Sequence, residues 1–75
     1  MTTTTQPSDP ILIVSIVIPV YNEIDTIKSI LESVQEQDIR NVQLETIVVD
    51  DGSDDGTRDI LESIPHLYDH LILNP

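Results

Sequence analysis

Two apolar runs in this chain stop abruptly in polar, turn-forming residues. Ile16-Val17-Ile18-Pro19-Val20 runs into Tyr21-Asn22-Glu23, and Thr46-Ile47-Val48-Val49 runs into Asp50-Asp51-Gly52-Ser53-Asp54-Asp55-Gly56-Thr57. Both runs are rich in β-branched residues and neither alternates apolar with polar, the pattern of strands in a parallel sheet. Between them Ile24, Ile27, Leu31 and Val34 recur at helical spacing, with Ile30 beside them and Lys28 and Glu32 one turn apart on another side. A strand, a helix and a strand with short joints form a right-handed parallel unit. Both strands then deliver polar tips to one sheet edge, where open α/β sheets bind ligands.

The individual elements follow from local chemistry. Ile11 to Ile18 is apolar except at Ser15 and predicts a central strand covered on both faces and ended by Pro19. Asn22 is the expected N-cap of the first helix, with Glu23 and Asp25 in its positive first turn. That helix ends near Asp38, Ile39 to Gln43 form the return loop, and Leu44 to Val49 form the second strand. Gly52 and Gly56 permit backbone geometry that a side chain penalises, and Ser53, Asp54 and Asp55 are natural caps for a helix from Thr57 to Ile64. Ile60, Leu61 and Ile64 supply its inner face, Pro65 stops it, and Leu71-Ile72-Leu73 opens a third strand after a loop holding His66 and His70. The expected fold class is α/β, in βαβα(β) order with a parallel sheet.

Composition narrows the function. Fourteen acids against Lys28, Arg40 and Arg58 give a net charge of −11, which repels nucleic-acid backbones and anionic membrane surfaces alike. Tyr21 and Tyr68 are the only rings, so stacking on bases is also poorly served. Nucleic acid and acidic lipid are therefore poor candidates as direct partners. The apolar stretch from Ile11 to Val20 falls well short of the roughly 20 residues that cross a bilayer. No basic, targeting-type start precedes it; residues 1–10, with their threonines and prolines, read as a disordered polar tail. Residues 11–75 form one small domain that buries only roughly 60% of its unfolded surface. No cysteine is present to staple it, which fits a reducing compartment.

Val14 to Glu23, followed by Val48-Val49-Asp50-Asp51-Gly52-Ser53 and Asp55-Gly56-Thr57, resembles the N-terminal, Rossmann-like nucleotide-binding half of an inverting family 2 glycosyltransferase with the GT-A fold. The spelling Asp-Asp-Gly-Ser-x-Asp-Gly-Thr-Arg-Asp is similar to that of dolichyl or polyprenyl phosphate mannosyl and glucosyl transferases. The resemblance covers about residues 13–64. It implies transfer of a sugar from a UDP- or GDP-sugar donor to an acceptor such as a lipid phosphate or a glycan. It places Pro19, Tyr21, Glu23, the Val49 backbone and the Asp51 carboxylate against the nucleoside, while Asp50 fixes the turn. It implies a cytoplasmic protein, peripheral at the membrane face in a longer parent. It also implies a divalent metal, Mg or Mn, held by an Asp-x-Asp motif, which does not occur at any strand end here, and a catalytic base expected beyond Pro75. By that reading the chain is a truncated portion of the domain and is inactive in transfer.

The bottom-up chemistry agrees, since uracil or guanine N–H groups and ribose hydroxyls are donors that fixed carboxylates at a strand terminus accept from. Three other readings compete. Asp51 to Glu62 matches a calcium-binding EF-hand loop at several ligand positions, but β-branched Thr46 to Val49 precedes it where a helix belongs, and Arg58 takes a normally apolar position. His66 and His70 stand four apart, yet only Asp69 offers a third zinc ligand, so they read as exposed loop histidines. The chain could also be an inactive relic or an interaction module, whose uncovered strand edge invites aggregation or pairing. No glycine-rich dinucleotide loop or phosphate loop with a lysine is present.

Overall fold

A computed structural model describes residues 11–75; the tail assigned to residues 1–10 lies outside the described residues. The chain runs β1 (Leu12–Val20), α1 (Ile27–Gln35), β2 (Val42–Asp51), α2 (Thr57–Ser63), a 3-10 turn (Pro65–Leu67) and β3 (His70–Asn74). The three strands form one parallel sheet in the order β1-β2-β3. This is the βαβαβ arrangement expected from the sequence, and the third strand pairs along its full length, from Ile47↔His70 to Asp51↔Asn74.

Both crossovers return on the same side of the sheet, so β2 alternates. Thr46, Val48 and Asp50 are buried beneath the helices, whereas Ile47 and Val49 on the other face are only half-buried. One core results, built from Val20 and Val48 of the sheet, Ile27 and Leu31 of α1, Leu61 of α2, and Ile64 and Leu67 beyond it. Burying such a side chain stabilises by about 1.5–3 kcal/mol. Pro65 ends α2 as expected and opens the 3-10 turn.

Several boundaries differ from expectation, each for a physical reason. β1 is not a covered central strand: among the described residues it lies at the sheet edge, and Ile13 and Val17 are 68% and 59% exposed. Its apolar character reports a capacity to be buried, but α1, nine residues long, reaches only the tip-proximal half. Pro19 does not end β1; it sits in register with Val49, since an edge strand tolerates a missing donor. The ten-residue β2 begins at Val42 and runs through Asp51, longer than Leu44 to Val49, because β1 gives Val42 and Gln43 backbone partners at one end and β3 gives Asp51 one at the other. Asn41, in a left-handed conformation at φ 62°, turns the chain into it.

The helix starts also move. α1 begins at Ile27 with Thr26 at the N-cap and ends at Gln35. A turn precedes it, in which the Glu23 carbonyl accepts from the Thr26 and Ile27 amides. Asn22 therefore does not cap α1, and its side chain is used across the site. His70 belongs to β3, not to a loop, and lies 3.4 Å from Glu45.

Candidate functional site

Parallel pairing brings the two polar tips together. Pro19↔Val49 and Val20↔Asp50 are the last rungs between β1 and β2, so Tyr21, Asn22 and Glu23 leave the sheet beside Asp51 and the turn that follows it. Tyr21, Glu23 and Asp51 are exposed and Val49 is half-buried. All five residues expected at a nucleoside thus stand at one end of one sheet.

The two loops are fastened by side chains of the second accepting from the backbone of the first. Three successive amides are captured: Asn22 N–H by Ser53 Oγ at 2.9 Å, Glu23 N–H by Thr57 Oγ1 at 3.0 Å, and Ile24 N–H by Asp55 Oδ2 at 3.3 Å. Asn22 reciprocates, its Oδ1 accepting from the Asp54 amide at 2.9 Å. Consecutive free amides form a cradle for anions; here the protein itself fills it.

Asp55 completes the start of α2. Its Oδ1 accepts from the Thr57 amide at 2.9 Å and from the Thr57 hydroxyl. Of the three expected caps, Asp55 is the one that serves the helix, while Ser53 and Asp54 face the other loop. The Thr57 hydroxyl foremost, opposed by partial burial and joined by the Thr57 and Ile24 amides, holds the Asp55 carboxyl below its ordinary pKa. Gly56 adopts φ 99°, and a Cβ there would stand 2.9 Å from the Ile24 side chain. The glycine is thus required twice over, by conformation and by the close approach of the first loop.

Asp50 is structural, as expected. It is fully buried, and its Oδ1 accepts from the Ser53 amide at 2.9 Å and from Arg58 Nε at 2.7 Å. Burial on its own raises its pKa, but the Ser53 hydroxyl and amide together with Arg58 outweigh it and hold the carboxyl below the ordinary value. Arg58 also donates through Nη2 to the Asn74 carbonyl, so one guanidinium ties the tips of β2 and β3. Asp50 Oδ2 is buried without a partner among the described residues. The Glu23 carboxylate accepts from the Thr26 hydroxyl at 2.8 Å through Oε2, which steadies the turn and leaves Oε1 unengaged by that contact.

The competing readings meet the structure as follows. The supposed calcium loop begins inside a strand and is already helical at Thr57, its seventh residue, so it lacks the helix-loop-helix frame that an EF-hand needs. His66 and His70 join no group of metal-ligating side chains. Among the described residues no set of three or more His, Cys, Asp or Glu side chains could hold a metal ion. Mg or Mn therefore does not fit residues 11–75 on their own, and no chemical step is assigned through it.

Sequence reasoning found the tips but missed their fastening. The signal was present: Ser53, Asp55 and Thr57 are acceptors spaced two apart, and Asn22 is among the few residues that adopt a left-handed backbone readily, here φ 49°.

A parallel sheet with one helical layer and polar loops gathered at its carboxyl end defines a Rossmann-like α/β domain with its ligand crevice at the strand tips. The chain belongs to glycosyl transferase family 2, whose family model matches residues 15–73, and the fold is the Rossmann-like portion of the GT-A architecture. It is 43% identical over 58 residues to a protein named glycosyltransferase AglE from Haloferax volcanii, a match covering 77% of this chain and 19% of that protein. It is 40% identical to a poly(ribitol-phosphate) beta-glucosyltransferase from Bacillus spizizenii, over 80% of this chain and 10% of that one. A minor teichoic acid biosynthesis protein, GgaA, from Bacillus subtilis is 41% identical over 77% of this chain and 13% of its own length. The chain thus matches a fifth or less of each of these relatives. No solved structure matches it. Among the described residues, no helix is long and apolar enough to cross a membrane.

Proposed function

We propose that the strand-tip crevice binds the nucleoside of a UDP- or GDP-sugar, with Glu23 and Asp51 accepting from base and ribose donors and the Val49 backbone, Pro19 and Tyr21 lining the pocket. The supporting observation is the adjacency of the last β1-β2 rungs, which sets these side chains at one sheet end. Carboxylates on rigid strand termini suit donors of fixed geometry, because little side-chain order is lost when they pair. Asp51 and Asp54 are the exposed carboxylates of the second tip, and of the two Asp51 stands on the strand itself.

The reaction assigned to the site is sugar transfer to an acceptor bearing phosphate or hydroxyl groups, by in-line displacement at the sugar with a base activating the acceptor. A lipid phosphate follows from the likeness to polyprenyl phosphate transferases, and a polyol phosphate from the name of the Bacillus spizizenii relative. Metal-dependent stabilisation of the leaving diphosphate, and the catalytic base, are assigned to residues outside 11–75. The 75-residue chain on its own therefore binds nucleotide weakly, around millimolar or about −4 kcal/mol, and does not transfer sugar.

Titration of the isotopically labelled chain with UDP, GDP and ADP, followed by two-dimensional NMR, tests this. Saturable shifts at Tyr21, Glu23 and Asp51 with UDP or GDP support the assignment. Shifts confined elsewhere, or the same response to all three nucleotides, overturn it.

A further inference from the structure

The hydrogen bonds at the strand tips form a continuous path across all three strands. The Asn22 amide donates to Ser53 Oγ, the Ser53 amide donates in turn to Asp50 Oδ1, and Arg58 joins Asp50 to the Asn74 carbonyl. The direction of each bond is fixed by chemistry. An ionised carboxylate only accepts, so Asp50 receives from the Ser53 amide and from Arg58, and the Ser53 hydroxyl oxygen receives from the Asn22 amide. Asn22 closes the path into a clasp by accepting from Asp54 N–H. Its left-handed backbone is what allows amide and side chain to face the same partner loop.

Glycine would adopt that backbone with less strain but could not bridge the loops. A side chain with an acceptor is needed at a position where most side chains are penalised, and Asn meets both demands. The clasp lies on either side of the two candidate nucleoside contacts: Asn22 immediately precedes Glu23, and Ser53 and Asp54 follow Asp51 by two and three residues. The side chains of Glu23 and Asp51 take no part in it.

We infer that Asn22 and Ser53 are positioning residues, which set the separation of Glu23 and Asp51 and so govern how tightly the crevice holds a nucleotide. This rests on the nucleoside-binding reading given above. It differs from a purely structural role because the Asn22 bonds to Ser53 and Asp54 join two loops at the surface, outside the core cluster that holds the sheet together. Loosening it widens the crevice while the sheet stays folded.

The test uses the 75-residue chain with three variants and UDP and GDP as probes. Asn22→Gly keeps the backbone conformation and removes the bridging acceptor; Ser53→Ala removes the hydroxyl; Ser53→Thr keeps it. Affinities are measured by NMR at a temperature where each spectrum shows a folded chain, and exchange of the Asp54 amide reports the clasp directly. Expected are about tenfold weaker binding and faster Asp54 exchange in Asn22→Gly, about tenfold weaker binding in Ser53→Ala, and near-native affinity in Ser53→Thr. Folded Asn22→Gly and Ser53→Ala that bind like the original chain overturn the inference alone. An original chain that binds neither nucleotide overturns the functional reading and this inference with it.

Discussion

Arg58 Nε lies 2.7 Å from Oδ1 of the fully buried Asp50, and the same guanidinium reaches the last β3 residue, Asn74. One basic side chain, in a protein with three, neutralises the one fully buried acid among the described residues and holds the end of the sheet closed. Removing either partner strands a charge or loses a tie. Arg58→Met is expected to destabilise by about 2–3 kcal/mol, since the buried carboxylate loses its charged partner. Chemical unfolding measures this, and Asp50→Asn in the same background is expected to recover part of the loss.

Acid sensitivity follows from the same carboxylates. Asp50 and Asp55 both titrate below their ordinary value of 3.8 in the folded chain. The unfolded chain then takes up the proton first as pH falls, so their contribution is complete above the ordinary value and is lost progressively below it, through the folded pKa. The melting temperature is expected to hold steady from about pH 7 to 5 and to fall steeply below about pH 4. Asp50→Asn should flatten that fall, and an unchanged acid limb would count against the assignment.

Gly56→Ala places a methyl group 2.9 Å from the Ile24 side chain at φ 99°. Strain and overpacking add, and a loss of about 1–3 kcal/mol is expected in thermal unfolding. Shortening the obstacle with Ile24→Val is expected to return some of it, which separates the clash from the backbone conformation.

Asp51 is the exposed carboxylate at the end of β2, with a side chain that no core contact needs. Asp51→Asn is expected to weaken UDP or GDP binding about tenfold while leaving the melting temperature within about 2 °C of the original. Calorimetry or NMR titration measures the first and a thermal scan the second.

β1 carries no charged residue, and Ile13 and Val17 point away from the helical layer. Such an edge pairs readily with other chains. Val17→Lys is expected to suppress concentration-dependent association in sedimentation experiments and to change folding stability by less than about 0.5 kcal/mol. Equal association of both chains would place the contact elsewhere.

The patterning of single residues settled more of this protein than its length suggests. β-branched runs without alternation announced parallel strands, the Ile27 and Leu31 spacing announced the buried helix face, and the Asp-Gly-Ser and Asp-Gly-Thr spellings announced turns at strand tips. These are local properties, decided by backbone sterics and side-chain period. The place of β1 at the edge, the start of α1 at Ile27 and the part played by Asn22 are of another kind. They depend on which groups arrive opposite one another after two crossovers. Asn22 has a free choice between capping its own helix and bridging to residues 31 and 32 positions away; only the folded sheet, by setting Ser53 and Asp54 within hydrogen-bond reach, decides for the bridge.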